Sequence, residues 1–206
     1  MPEEIFHLIE QNVSRETFLM LQEFVQILLK WNKKINLVSK QTNEKEIWRD
    51  HIMDSIVLAE HIIQKDELLV DVGSGAGFPG LILAMMQYQN VVLVEINSKK
   101  SAFLNFIASE FNLKCRVKNQ DIKALAGCGP RYITSRAMAS ISEIIKMTAE
   151  VMTPYTEYLF HVGEAGIRSE LVILRQTKSF ELQEWQNPYK DKCRIISIKN
   201  IKDSGI

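Results

Sequence analysis

Three glycines and the charged residues beside them carry the chemistry this chain can do. Gly73, Gly75 and Gly77 follow Leu68-Leu69-Val70-Asp71-Val72 and lead into Phe78-Pro79-Gly80. Apolar residues flanking one acid read as a strand covered on both faces. Glycine turns tightly and admits a ligand without Cβ obstruction, and Pro79 suits the opening turn of a helix. The spacing is G-x-G-x-G, not the G-x-G-x-x-G of dinucleotide folds. Val91-Val92-Leu93-Val94-Glu95 reads as a second strand, ending in an acid 18 residues after Gly77. A carboxylate at that tip accepts from both hydroxyls of a ribose. Asp71 is expected to face the same ligand from the tip of the first strand. Its charge repels a pyrophosphate but suits an ammonium or sulfonium group.

A ligand with a ribose, an ammonium and a sulfonium is S-adenosylmethionine. The rest of the chain supplies the elements that would position these residues. Helices are expected over residues 79–88, 98–111 and 166–177, with Phe103, Phe106 and Ile107 facing inward on the second. Further strands fall at 115–117, 132–135 and 158–160, and 180–185 with 193–198 form a closing hairpin. Ser140 with Glu143 is a capping box, and the helix it opens stops before Pro154. Alternation of this length means an α/β fold with a mostly parallel, doubly wound sheet. Residues 1–65 form a helical N-terminal extension packed on a core of 66–206, one structural domain in all. Ser14 caps a helix with Phe18, Leu21, Val25 and Leu28 on one face. Asn43 with Glu46 opens another, carrying Ile47, Trp48, Ile52, Ile56 and Leu58.

Between these helices, residues 30–40 mix four lysines with Trp31 and two asparagines that interrupt the pattern. Two readings stand: a helix end with solvated lysines and a core tryptophan, or a phosphate-contacting rim with a stacking ring. His51 and Asp54 are expected to share a helical face. They are either a hydrogen-bonded pair fixing the helices onto the sheet or direct participants. Lys190, Lys192, Arg194, Lys199 and Lys202 read as a solvated hairpin face before an RNA contact.

With 206 residues, 46% of them apolar, there is ample material for a core. No run of 18 apolar residues exists, so no membrane span is expected. Met1-Pro2-Glu3-Glu4 lacks the basic start of a signal peptide. Cys115, Cys128 and Cys193 show no C-x-x-C spacing, which points to reduced cytoplasmic thiols and no metal site. Net charge is zero, so a nucleic-acid partner needs local basic patches.

The motifs together resemble those of the small-subunit (16S) ribosomal RNA methyltransferase G family, also called glucose-inhibited division protein B. That family belongs to the class I S-adenosylmethionine-dependent methyltransferases, with a Rossmann-like fold. The matching pieces are Trp31-Asn32-Lys33-Lys34-Ile35-Asn36-Leu37, His51-Ile52-Met53-Asp54-Ser55, Asp71 through Gly80, and Thr134-Ser135-Arg136-Ala137-Met138-Ala139. The resemblance implies methylation of N7 of one guanine in 16S rRNA, by a monomer acting on that RNA or the small ribosomal subunit. Its cofactor contacts carry over to Gly73, Phe78 and Arg136, and to Asp121 with Ile122 in the turn that cradles an adenine. Asp71, Ser74, Gly75, Gly77 and Glu95 complete the expected cofactor set. Lys33, Lys34 and Arg49 are the expected RNA contacts. Arg136 has two sensible tasks, holding the cofactor's polar end or donating to guanine O6, and His51 is the other candidate on the substrate side.

The chain departs from the family at three places. The usual arginine is missing from the adenine turn, Asp50 fills a basic slot with Arg49 one place early, and His161-Val162-Gly163 replaces Leu-Lys-Gly. Two other classes therefore compete. A nicotinamide-dependent oxidoreductase shares the strand–glycine–helix unit and Glu95, and a non-catalytic ribosome-assembly factor accommodates the lost basic residues.

Overall fold

The structure is a computed structural model that describes residues 2–136 and 138–204; Met1, and Ala137 of the last motif, lie outside the described residues. Seven strands form one sheet in the order β3-β2-β1-β4-β5-β7-β6. They are β1 (Leu69–Val72), β2 (Val91–Val94), β3 (Cys115–Lys118), β4 (Tyr132–Ser135), β5 (Glu157–Gly163), β6 (Lys178–Gln186) and β7 (Cys193–Asp203). The first five run parallel, and β7 pairs antiparallel with β5, Phe160 opposite Ile196. β1 is the middle one of the five parallel strands, with Asp71 in register with Leu93 on one side and Thr134 on the other. β1, β2 and β4 are buried along their whole lengths, as parallel strands covered on both faces must be. The order reverses at β1, the switch point beyond whose carboxyl end such sheets bind ligands. The expected α/β, Rossmann-like, doubly wound sheet with a C-terminal hairpin is the fold observed.

One face is covered by α1 (Pro2–Asn12), α2 (Arg15–Asn32), α4 (Met53–Ala59), α5 (Gly80–Met85) and α6 (Ser98–Glu110). Phe18, Phe24, Trp48, Leu81 and Phe103 share a single apolar core there. The other face is covered by α7 (Ile141–Met147) and α8 (Glu164–Arg175), with Ile144, Tyr158, Leu174 and Ile196 between them. Ser14 caps α2, and the Ser140–Glu143 box opens α7.

One expectation fails on this face, and a second holds with a change: the Asn43–Glu46 capping box and the buried residues it leads into are present. Phe106 is 39% exposed, because α6 meets the core through Phe103 and Ile107 while Phe106 covers only the Trp31 ring, 5.4 Å away. The helix opened by the Asn43–Glu46 box is not regular. A short turn, α3 (Glu44–Glu46), gives way to a π-helical segment, Ile47–Ile52, before α4 begins. There Met53 N–H donates to Trp48 C=O, five residues back. Such segments are rare and frequently mark functional sites. His51 lies within this one.

Candidate functional site

A cavity of about 480 Å³ opens beyond the carboxyl ends of β1 and β2, within the range of small-molecule sites. Its floor is Val72, Gly73, Ser74, Gly75 and Ala76, the turn between β1 and α5. Phe78, His51, Val38 and Thr42 form one side, Val94, Glu95 and Ile96 another, and Asp121, Ile122, Arg136 and Met138 close it.

The loop is held by two acids whose roles differ from one another. Glu95 lines the cavity and accepts from Gly75 N–H at 2.9 Å and Asn97 N–H at 2.8 Å. Each carboxylate oxygen keeps a further lone pair, so a diol is still within its capacity. Asp71 does not face the cavity, contrary to its expected role. It is fully buried, with Oδ2 accepting from Gly80 N–H at 3.2 Å and Oδ1 from Thr134 Oγ1–H at 3.1 Å. Burial pushes its pKa up to about 6, with the Glu95 charge adding and those hydrogen bonds opposing. Asp71 is therefore a brace that ties β1 to β4 and to the start of α5.

The loop residues divide likewise. Gly73, with φ at +69°, lines the cavity. Gly77, at φ +97°, does not, and a Cβ there would lie 2.3 Å from Leu81 Cδ1. It serves packing of the turn on its helix. Ser74 contributes backbone, since its hydroxyl is turned inward to Asp71 C=O at 2.9 Å. Phe78 packs its ring 5.7 Å from Phe24 and 4.8 Å from His51. His51 lies among Phe78, Gly73 and Arg136 with its pKa pushed down to about 4, mainly by burial and then by the Arg136 charge. It is neutral at neutral pH.

Asp54 turns away from the cavity, and no hydrogen bond joins it to His51. The pairing expected from their spacing fails because the π-helical turn is wider than an α turn and sends the two to different neighbours. Asp54, 4% exposed, receives Lys190 Nζ at 2.7 Å and Asn187 Nδ2 at 3.3 Å. Arg136 Nη2 lies 3.5 Å from the same Oδ2 and also donates to Asp50 C=O. His161 Nε2–H donates to Asp54 C=O at 2.6 Å, which fixes the ring's tautomer. Lys190 reaches Asp50 as well, at 2.9 Å. So Lys190 is not on a solvated face. The β6–β7 turn folds over the N-terminal helices and inserts it into this cluster.

Asp121 and Ile122 line the cavity beyond β3, and Asp121 Oδ1 also caps the short 3-10 turn through Lys123 N–H. Sequence reasoning missed the wall formed by Leu37, Val38, Ser39 and Thr42. Its signal was Asn32, whose Oδ1 accepts from Leu37 and Val38 N–H at 2.9 and 3.0 Å. Trp31 packs on Phe103 and Phe106, both 5.4 Å away, so its ring is committed to the protein. Lys33 and Lys34 are exposed at the start of that wall, whereas Arg49 pairs with Asp50 at 2.5 Å.

The sequence profile of rRNA small subunit methyltransferase G matches residues 6–192. The chain belongs to that family. The ribosomal RNA small subunit methyltransferase G of Orientia tsutsugamushi (strain Ikeda) is 37% identical over 192 residues, 93% of this chain and 94% of its own. The Cereibacter sphaeroides (strain ATCC 17029) protein of the same name is 34% identical over 197 residues, covering 93% and 95%. Among solved structures, an O-methyltransferase from Bacillus cereus in complex with SAH aligns with a TM-score of 0.58 at 13% identity, covering 93% of this chain and 99% of its own. That likeness is one of fold.

For a member of the methyltransferase G family, the cavity fits an adenosyl amino acid. Among the described residues Arg136 Nη1 is buried without a hydrogen-bond partner, a donor suited to a carboxylate. Glu95 suits the ribose, and Ile122 and Val94 offer apolar faces to a purine. Among the described residues no three His, Cys, Asp or Glu side chains gather as metal ligands would.

Proposed function

We propose that this protein is an S-adenosylmethionine-dependent methyltransferase that modifies N7 of a specific guanine in 16S ribosomal RNA. The observation that carries this is the cavity itself, lined by both Glu95 and the Arg136 guanidinium with its unsatisfied buried donor, in a chain of this family. S-adenosylmethionine supplies a methyl group activated by its sulfonium. The protein's own task is then alignment and exclusion of water. Guanine N7 has a free lone pair at neutral pH, so no general base is required. The site agrees with that economy: His51 is neutral and packed on Phe78 rather than paired with an acid. Arg136 holds the polar end of the cofactor, while Gly73, Gly75 and Phe78 shape its bed. Asp121 and Ile122 flank the adenine. Lys33 and Lys34 meet the RNA backbone, Arg49 beside them is held by Asp50, and the working form is a cytoplasmic monomer.

The test is transfer of labelled methyl groups to small-subunit RNA and particles lacking the modification, followed by nucleotide-resolution mapping of N7-methylguanine. One guanine in 16S rRNA is expected to gain the label. Absence of transfer to either substrate overturns the reading. Calorimetry with S-adenosylhomocysteine and NAD separates it from an oxidoreductase, which would bind only the second.

A further inference from the structure

Lys190 and Arg136 converge on one atom, Asp54 Oδ2. Lys190 Nζ holds it at 2.7 Å, and Arg136 Nη2 stands off at 3.5 Å. The two come from different elements, Lys190 from the β6–β7 turn and Arg136 from the loop after β4. Asp54 is buried, so its charge is screened only by what touches it. Asn187, 2% exposed, occupies its other oxygen and seats the turn. Lys190 also neutralises Asp50 at 2.9 Å, the carboxylate beside the carbonyl that Arg136 holds. Arg136 Nη1 is buried with no hydrogen-bond partner among the described residues. A guanidinium forks readily onto a carboxylate, and a lone buried Asp54 would capture it.

We infer that Lys190 is a positioning residue: by occupying Asp54 it keeps the Arg136 guanidinium available for the carboxylate of the bound amino-acid nucleoside. The inference rests on the proposed cofactor reading. Without the lysine, Asp54 closes onto Arg136 as a two-pronged pair and the cavity loses its carboxylate donor. Nothing in the spacing of the chain marks this residue, 136 positions from its partner. It acts through Asp54 and Arg136 and touches no reacting atom.

Calorimetry with two ligands tests this: S-adenosylhomocysteine, which has the carboxylate, and 5′-methylthioadenosine, which has the same sulfur and nucleoside without it. Lys190→Met is expected to weaken the first at least tenfold and the second less than twofold. Lys190→Arg keeps the charge and restores most of the loss. The double variant Lys190→Met/Asp54→Asn removes the competitor with the lysine, leaves Arg136 on the Asp50 carbonyl, and is expected to bind S-adenosylhomocysteine within threefold of the wild type. Equal losses for both ligands in Lys190→Met, or no loss, overturn the inference. So does a double variant that stays tenfold weaker, which decides the matter even if the single variant does not fold. Wild-type protein that binds neither ligand overturns the cofactor reading instead.

Discussion

Two ionisable residues near the glycine loop pull the protein's pH dependence in opposite directions. His51 is driven down to about 4 by burial and by Arg136, so between pH 6.5 and 4 the native state binds fewer protons than the unfolded chain. Stability from this residue is lost as pH falls through that window. Asp71 is raised to about 6 by burial and by Glu95, so between pH 6 and 3.8 the native state binds more protons. Its contribution grows as pH falls. Each amounts to ~1–2 kcal/mol between pH 7 and 5. Urea unfolding at both pH values is expected to show His51→Gln losing ~2 kcal/mol less on acidification than the wild type, and Asp71→Asn losing ~1 kcal/mol more. A shared slope in all three would mean that neither group titrates in the native state as its surroundings dictate. Glu95 makes a different prediction. Because it accepts from Gly75 and Asn97 N–H, Glu95→Gln turns one acceptor into a donor facing a donor, at ~1–3 kcal/mol. S-adenosylhomocysteine binding should weaken at least tenfold, with a lower melting temperature.

At the scale of elements, the wall opposite the glycine loop hangs on one side chain. Asn32 ends α2 and accepts from two successive amides of the segment that carries Leu37 and Val38 into the cavity. Asn32→Ala strands both amides. The expected outcome is a several-fold rise in KM for S-adenosylmethionine with kcat little changed, and faster hydrogen exchange at Leu37 and Val38; unchanged exchange would show the wall is held otherwise. This is also where legibility in the sequence ends. Caps and strands were readable because their causes are local: Ser14, Ser140 and Asn43 bond residues three places on, and β4 alternates between two cores that both demand apolar or satisfied side chains. The π-helical segment was not, because a five-residue bond pattern leaves no mark in apolar periodicity. Asp71 was misplaced for a related reason. A strand-tip acid points toward a ligand or into the sheet according to a partner, Thr134, that lies 63 residues away. Lys190 reads as solvated because charge in a hairpin turn ordinarily is, and only the fold brings Asp50 and Asp54 beneath it.

Across the whole molecule, 25 basic and 25 acidic residues cancel, so no long-range field draws this protein to RNA. Attraction must come from cations left over after internal pairing, and the structure sorts them. Lys190 is committed to Asp50 and Asp54, Arg49 to Asp50, and Arg136 is turned to the cavity. Lys33 and Lys34, exposed beside the cavity wall, have no ion pair among the described residues. If these two neutralise phosphates, each releases counterions, and log affinity falls with log salt by ~0.7 to 0.9 for every phosphate contacted. Lys33→Ala/Lys34→Ala should therefore weaken binding to 16S RNA or small-subunit particles and flatten its salt slope by ~1.5. Arg49→Ala should change that slope by less than half a contact, because Asp50 already takes most of its charge. S-adenosylhomocysteine affinity should stay unchanged in the lysine variant, since neither lysine lines the cavity. A salt slope that stays put in the lysine variant would place the RNA face elsewhere on the molecule, away from the segment that forms the cavity wall.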